Sequence, residues 1–186
     1  MTATIRTLPR YYPAIFAQRV LLSAAILAIL CVCAILLCKY KQINKLQRNA
    51  FIVLSVYTVV LLYFTFIGRY SHEEYGFRIY FFESYRKLFT HFNLHIVAQL
   101  LVNLGMLFPV GFLLPIVLVC RRKYLLTLLL SVFLTLFIET MQLVMKCGTF
   151  EIDDIINNII GAALGAVAYA VIKRLISKDK KEKLHE

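Results

Sequence analysis

The chain has 186 residues, of which 61% are hydrophobic and 17% are charged, and its mean hydropathy is +0.76. Soluble domains are nearer half apolar and a quarter charged, so this composition excludes an ordinary soluble protein and indicates an integral membrane protein. A net charge of +11 would suggest nucleic acid in a soluble chain, but here the basic residues lie mainly between and beyond the apolar runs. That placement is typical of membrane topology signals, and we expect no nucleic-acid partner.

Apolar runs divide the chain into a short basic leader, a transmembrane domain and a basic tail, at residues 1–19, 20–172 and 173–186. A spanning helix needs about 20 apolar residues. Five runs approach or reach that length, at about residues 20–37, 50–67, 96–119, 125–145 and 154–172. A cleaved signal peptide is the alternative for the first run, but no small-x-small cleavage site follows it. We therefore predict an all-α polytopic membrane protein with about five transmembrane helices.

The segment at residues 68–95 is rich in aromatic side chains and carries both signs of charge. Its apolar residues at helical spacing are Phe77, Tyr80, Phe81, Tyr85 and Leu88. The pattern predicts one interfacial amphipathic helix, with aromatic rings at the level of the lipid headgroups. A lid over a functional site is the alternative, and we favour the plain membrane anchor.

Acids and amides interrupt the apolar runs at residues 137–165. Glu139 and Gln142 lie one turn apart in the fourth run, and Asp154 opens the fifth. A carboxylate within the hydrocarbon layer costs about 3 kcal/mol on insertion scales unless it is partnered or neutral. We therefore favour a functional role for Glu139 with Asp154.

Polar residues of three predicted helices fall at a similar depth in the membrane. His95, Gln99 and Asn103 share one face of the third run, at i, i+4 and i+8. We predict that the third, fourth and fifth helices bring their polar faces together in one pocket. Its residues would be Asn103, Glu139, Gln142, Asp153, Asp154 and Asn157.

Structural roles are the alternative for several of these residues. Asp153 and Asp154 suit the N-terminus of the fifth helix, where carboxylates are favoured. Each amide alone is better explained by a hydrogen bond between helices. Gly161 and Gly165 have the GxxxG spacing of a close helix–helix contact, and we predict that they pack against a neighbouring helix.

Counts of lysine and arginine predict the topology. The side that carries the loop at residues 120–124 and the tail has 13 basic residues, and the other side has 8. The positive-inside rule then places the C-terminus in the cytoplasm, the N-terminus outside and the predicted pocket in the outer half of the membrane. The five cysteines include no CxxC pair, and no His/Cys set has metal-ligand spacing, so we expect no metal and no cofactor.

The ordered set of motifs resembles the VanZ-like family of bacterial membrane proteins. That family has an asparagine-containing span ending in a phenylalanine-proline-x-glycine turn, then a glutamate-x-x-glutamine helix. A phenylalanine-acid-x-acid-aspartate segment, an asparagine and a small-residue helix complete the pattern. This chain matches at Asn103, residues 108–111, Glu139 with Gln142, residues 150–157 and residues 161–165, so that the order and spacing agree over residues 95–172.

The sequence also departs from the family pattern. Family members often carry an arginine just before the phenylalanine-acid segment, where this chain has Cys147, Gly148 and Thr149, with Lys146 as the nearest base. The asparagine-leucine-x-proline-phenylalanine stretch common before the third span is replaced by residues 79–83.

The resemblance implies a role in the bacterial cell envelope, at the plasma membrane, and the family's named member is linked to resistance to the glycopeptide teicoplanin. Our leading hypothesis is reduced susceptibility to lipophilic glycopeptides through an outward-facing polar pocket. Expected partners are membrane lipids and a lipophilic glycopeptide or a lipid-linked cell-wall precursor. A membrane-embedded enzyme acting on a phospholipid or a lipid-linked cell-wall substrate is the second hypothesis. A proton-coupled carrier is the third.

Overall fold

The computed structural model describes residues 44–67, 76–145 and 147–183. These ranges contain six α-helices and two very short strands, and a turn of π-helix, Tyr63–Ile67, continues the first helix. In chain order the elements are α1 (Lys45–Leu62), β1 (Phe77–Arg78), α2 (Glu83–Thr90), α3 (Leu94–Met106), α4 (Phe108–Val117), α5 (Lys123–Val144), β2 (Phe150–Glu151) and α6 (Ile152–Glu182). The prediction of an all-α fold is confirmed.

Four helical segments of the described chain are long and apolar enough to cross a membrane. They correspond to the second to fifth predicted runs and cover Lys45–Phe66, Leu94–Val117, Lys123–Val144 and Ile152–Asp179. The predicted leader at residues 1–19 and the first predicted span at residues 20–37 lie outside the described residues, as does Lys146.

The third span consists of two helices rather than one. Leu107 leaves the helical region, with φ −101° and ψ 2°, and joins α3 to α4. Pro109 then lies in the first turn of α4, where a residue without an N–H group costs no helical hydrogen bond. The chain therefore bends at Leu107, and α4 can leave α3 to pack against both α1 and α6.

Helix α6 is the centre of the bundle, because α3, α4 and α5 all pack against it. Small residues allow the backbones to approach closely. A Cβ atom added at Gly161 would lie 1.9 Å from the carbonyl oxygen of Leu104, and one added at Gly165 would lie 2.1 Å from that of Phe108. The apolar core on either side of this contact contains Leu61, Leu62, Phe66, Leu107, Val110, Ile138 and Ala162.

The segment before α3 is only partly helical, so the predicted helical stripe is wrong in its first half. Phe77 lies in β1, which pairs in parallel with β2 so that Phe77 is opposite Phe150 and Arg78 is opposite Glu151. Phe82 has a left-handed backbone, with φ 59°, and the helix begins only after it, at Glu83. The backbone N–H and C=O groups here are paired with a strand 73 positions away along the chain. The spacing of residues within one segment cannot indicate such a distant partner.

At the other end of the chain, α6 runs past the predicted limit of the fifth span at residue 172. It continues as an exposed, charged helix to Glu182. Lys183, the residue that follows the helix, pairs with Asp179 at 3.0 Å, one helical turn away.

Candidate functional site

All six residues of the predicted polar pocket are buried, with 1–8% of each exposed. Asn103 lies on α3, Glu139 and Gln142 lie on α5, and the other three lie in the first two turns of α6. Buried carboxylates and amides need partners, because an unpaired polar group inside a protein costs about 1–3 kcal/mol. The hydrogen bonds described below run largely through residues that the sequence prediction had left out.

Glu151, on β2, joins several of these groups. Its Oε1 accepts hydrogen bonds from Arg78 Nη1 at 2.9 Å and from Thr149 Oγ1 at 2.6 Å. Its Oε2 lies 3.4 Å from Gln99 Nε2, and its backbone N–H donates to Glu139 Oε2 at 3.2 Å. Glu139 thus accepts a hydrogen bond from the backbone of a residue whose own carboxylate pairs with Arg78.

Gln99 connects this group to α6. Its Nε2 lies 3.5 Å from Asp154 Oδ1, in addition to its contact with Glu151. One amide of α3 therefore lies between a carboxylate of β2 and a carboxylate of α6. Glu139, Glu151, Asp154 and Gln99 are called the acidic cluster below.

Asp153 caps a helix other than its own. Its Oδ1 accepts from the backbone N–H of Phe82 at 2.7 Å, and its Oδ2 accepts from that of Ser84 at 2.8 Å. These amides belong to the N-terminus of α2, where a carboxylate also interacts favourably with the helix dipole. The carboxylate that sequence reasoning offered as a cap for the fifth helix thus ties α2 onto α6.

The asparagines of α6 reach in two directions. Asn157 accepts a hydrogen bond at Oδ1 from the hydroxyl of Tyr85 on α2, and Asn158 donates from Nδ2 to Thr135 Oγ1 on α5 at 2.9 Å. Three amide atoms have no hydrogen-bond partner among the described residues: Nδ2 of Asn103, Nδ2 of Asn157 and Oδ1 of Asn158.

A cavity of about 150 Å³ lies next to the acidic cluster, between α2, the two strands and the start of α3. Drug-sized ligands occupy about 300–1,000 Å³, so this cavity suits a small polar group. Both signs of charge line it: the cations are Arg78 and Lys87, and the carboxylates are Glu83, Glu151 and Asp153.

Glu83 and Lys87, on the cavity side of α2, form an ion pair of 2.7 Å. The hydrogen bond from Lys87 is the largest of the effects that lower the pKa of Glu83. Among the residues that the structure describes, no group of three or more His, Cys, Asp or Glu side chains has the arrangement of a metal site.

A family model described as VanZ/LLP1 matches residues 24–173 of this chain. The chain belongs to the VanZ/LLP1 family. Searches of curated proteins and of solved structures found no significant match. The acidic cluster therefore lies within the matched region of a VanZ-like membrane protein.

Sequence reasoning missed the contributions of Arg78, Tyr85 and Glu151, and it did not include Gln99 in the predicted site. Gln99 and Glu151 had a local signal, since Gln99 lies a helical turn before Asn103 and Glu151 lies between the fourth and fifth apolar runs. Arg78 and Tyr85 had none, because their partners are 73 and 72 residues away. In the folded chain Arg78 reaches Glu151 from β1.

Proposed function

We propose that this VanZ-like protein lowers the susceptibility of a bacterial cell to lipophilic glycopeptides of the teicoplanin type. It would do so by holding the polar part of a lipid-tailed ligand at the acidic cluster. The observation that supports the proposal best is the pair of buried carboxylates, Glu139 and Asp154, on two spanning helices. One of these helices, α6, is hydrogen-bonded to α2. Carboxylates are costly at such positions, which favours a role beyond packing.

The size of the neighbouring cavity limits what can enter. About 150 Å³ accommodates a small charged or hydroxylated group and not a whole glycopeptide. Most of the ligand would therefore remain outside, with its acyl tail in the lipid. Tyr80 lines the cavity and is 76% exposed, and the neighbouring Phe81 is 66% exposed, so an apolar surface borders the opening. Aromatic side chains of this kind are enriched where protein meets lipid headgroups.

The charge distribution supports access from the outer leaflet. The end of the bundle that carries the acidic cluster is opposite the end with more lysine and arginine. The positive-inside rule would place that basic end in the cytoplasm. A ligand with a lipid tail would then meet the acidic cluster from the outer leaflet.

Antibiotic susceptibility provides the test. A sensitive host would express the wild type, Glu139→Gln or Asp154→Asn, with membrane abundance matched by quantified blots. Asp179→Asn is the matched control, since it removes one exposed carboxylate about 37 Å further along α6. We expect the wild type and the control to raise the inhibitory concentration of teicoplanin, and the other two variants to return it to that of the host.

Two outcomes would count against the proposal in different ways. Full protection by both Glu139→Gln and Asp154→Asn would show that the acids are structural. Absence of protection by the wild type would remove glycopeptide resistance from the proposed function of this protein in that host.

A further inference from the structure

A second and larger cavity, of about 650 Å³, lies at the opposite end of the bundle. The start of α1, the end of α4, the start of α5 and the last apolar turns of α6 meet there. Lys123, on its wall, precedes Glu139 by 16 residues of α5, which corresponds to about 24 Å along the helix. This basic cavity is therefore separate from the acidic cluster.

The charges around the basic cavity all have one sign. Arg121, Lys123 and Lys173 line it, and none of the carboxylates in the described ranges does. The nearest acids along α6 are Asp179 and Glu182, which pair with Lys183 and Lys178. Among the described residues these cations face no carboxylate in the cavity wall, and their positive potential favours an anion.

Lys123 is held in place by several contacts. Its Nζ donates to the carbonyl oxygen of Pro115 at 3.1 Å and lies 3.4 Å from the hydroxyl of Tyr169. It also lies 4.8 Å from the centre of the Tyr169 ring and 5.2 Å from that of Tyr124. An ammonium group already held over aromatic faces loses little further freedom when an anion binds.

The remaining wall of the basic cavity is apolar and faces outward. Leu46 is 64% exposed and Val119 is 59% exposed, at the edge of the opening. The spanning segments begin or end at Lys45, Val117 and Lys123, so the cavity lies at the depth where headgroups meet acyl chains. Cations beside an exposed apolar wall match a phosphate with attached chains.

We propose that the basic cavity binds the headgroup phosphate of an anionic phospholipid, whose acyl chains lie along the apolar wall. Arg121, Lys123 and Lys173 would contact the phosphate oxygens, and the side chains of Asn44 and Gln47 at the start of α1 would offer polar contacts to the headgroup. Arginine and lysine both form strong, charge-assisted hydrogen bonds with phosphate.

Native mass spectrometry of the full-length protein in detergent would measure its affinity for single phospholipid molecules. The probes are phosphatidylglycerol, which is anionic, and phosphatidylcholine, which has the same phosphate but no net charge. Arg121→Gln/Lys173→Gln removes two exposed cations of the cavity and leaves Lys123 on its backbone partner. Lys178→Gln/Lys181→Gln is the matched control, because it removes the same charge from the exposed end of α6.

We expect one phosphatidylglycerol to bind more tightly than phosphatidylcholine. Each cation near a lipid surface contributes about a fivefold factor, so the cavity variant should weaken that binding about 25-fold while the control stays within about twofold of wild type. Equal weakening in both double variants would overturn the proposal, since it would indicate unspecific attraction by net charge. Unchanged binding in the cavity variant would overturn it as well.

The source of the phosphate is tested through Cys120, an exposed free thiol that lines the basic cavity. Its alkylation rate, measured by peptide mass spectrometry, should fall in the presence of short-chain phosphatidylglycerol. Inorganic phosphate should need at least about 100-fold higher concentration for equal protection, because it lacks the chains that contact the apolar wall. Equal protection by both would assign the cavity to free phosphate and refute the lipid proposal.

Discussion

Replacement of Gly161 by alanine is expected to force α3 away from α6. The added Cβ would lie 1.9 Å from the carbonyl oxygen of Leu104 and 2.9 Å from its carbonyl carbon. Real Cβ atoms essentially never approach another heavy atom closer than 3.0 Å, so the two backbones must separate by about 1.1 Å. Neither partner is a flexible side chain, and therefore the change cannot be absorbed by a rotamer.

The change in the free energy of unfolding caused by Gly161→Ala is the sum of a steric cost and a gain in helix propensity. Overpacking of a tight contact costs about 1–3 kcal/mol, and a backbone neighbour places Gly161 at the upper end of that range. Alanine has a higher helix propensity than glycine, and this difference offsets the loss of stability by at most about 1 kcal/mol. We therefore expect a net loss of about 2 kcal/mol in the free energy of unfolding. For a chain of this length that corresponds to a fall of about 4–8 °C in Tm.

Gly105 offers a matched control on α3. It is exposed, and a Cβ added there would meet no atom within 4 Å. Gly105→Ala should therefore be neutral or should stabilise the protein by up to about 1 kcal/mol. Thermal unfolding of both purified variants, followed by circular dichroism in the same detergent, measures the difference. If Gly161→Ala proved as stable as Gly105→Ala, the close approach of α3 and α6 would be wrong.

Three further substitutions test other contacts. Asp153→Ala removes both side-chain acceptors at the N-terminus of α2 and should cost about 1–2 kcal/mol locally; hydrogen exchange of α2 should rise, and unchanged exchange would contradict the cap. Thr135→Val removes the hydrogen-bond partner of Asn158 on α6, whereas the control Thr127→Val loses only a bond within α5. Thr135→Val should therefore lower the free energy of unfolding by about 1 kcal/mol more than the control does. Equal free energies of unfolding in the two variants would refute this. The pKa of Glu83 is lowered in the folded protein, so its ionised form stabilises the fold above the ordinary pKa, and this contribution is lost as the pH falls through the lowered pKa. The Tm values of wild type and Glu83→Gln should therefore differ at neutral pH and converge in acid. A difference in Tm that stays constant with pH would point to another cause.

The sequence by itself determined the class of this protein and the location of its candidate site. Long apolar runs can only become spanning helices in a membrane, because each backbone group must be satisfied within its own segment. Placing polar residues within such runs costs free energy on insertion into the membrane. For this reason Glu139 and Asp154 could be identified as site candidates from the sequence alone. The family resemblance rested on the same residues, and the VanZ/LLP1 match over residues 24–173 confirms it.

The tertiary structure decided which groups surround those residues. The parallel pairing of β1 with β2 brings Arg78 to Glu151, although the two lie 73 positions apart. Asp153 lies in the first turn of α6, yet it holds the N-terminus of α2. The spacing of apolar residues shows which side of a helix or strand is apolar. It does not show which other segment of the chain packs against that side. The basic cavity had no single-segment signal either, because its wall forms only where α1, α4, α5 and α6 meet.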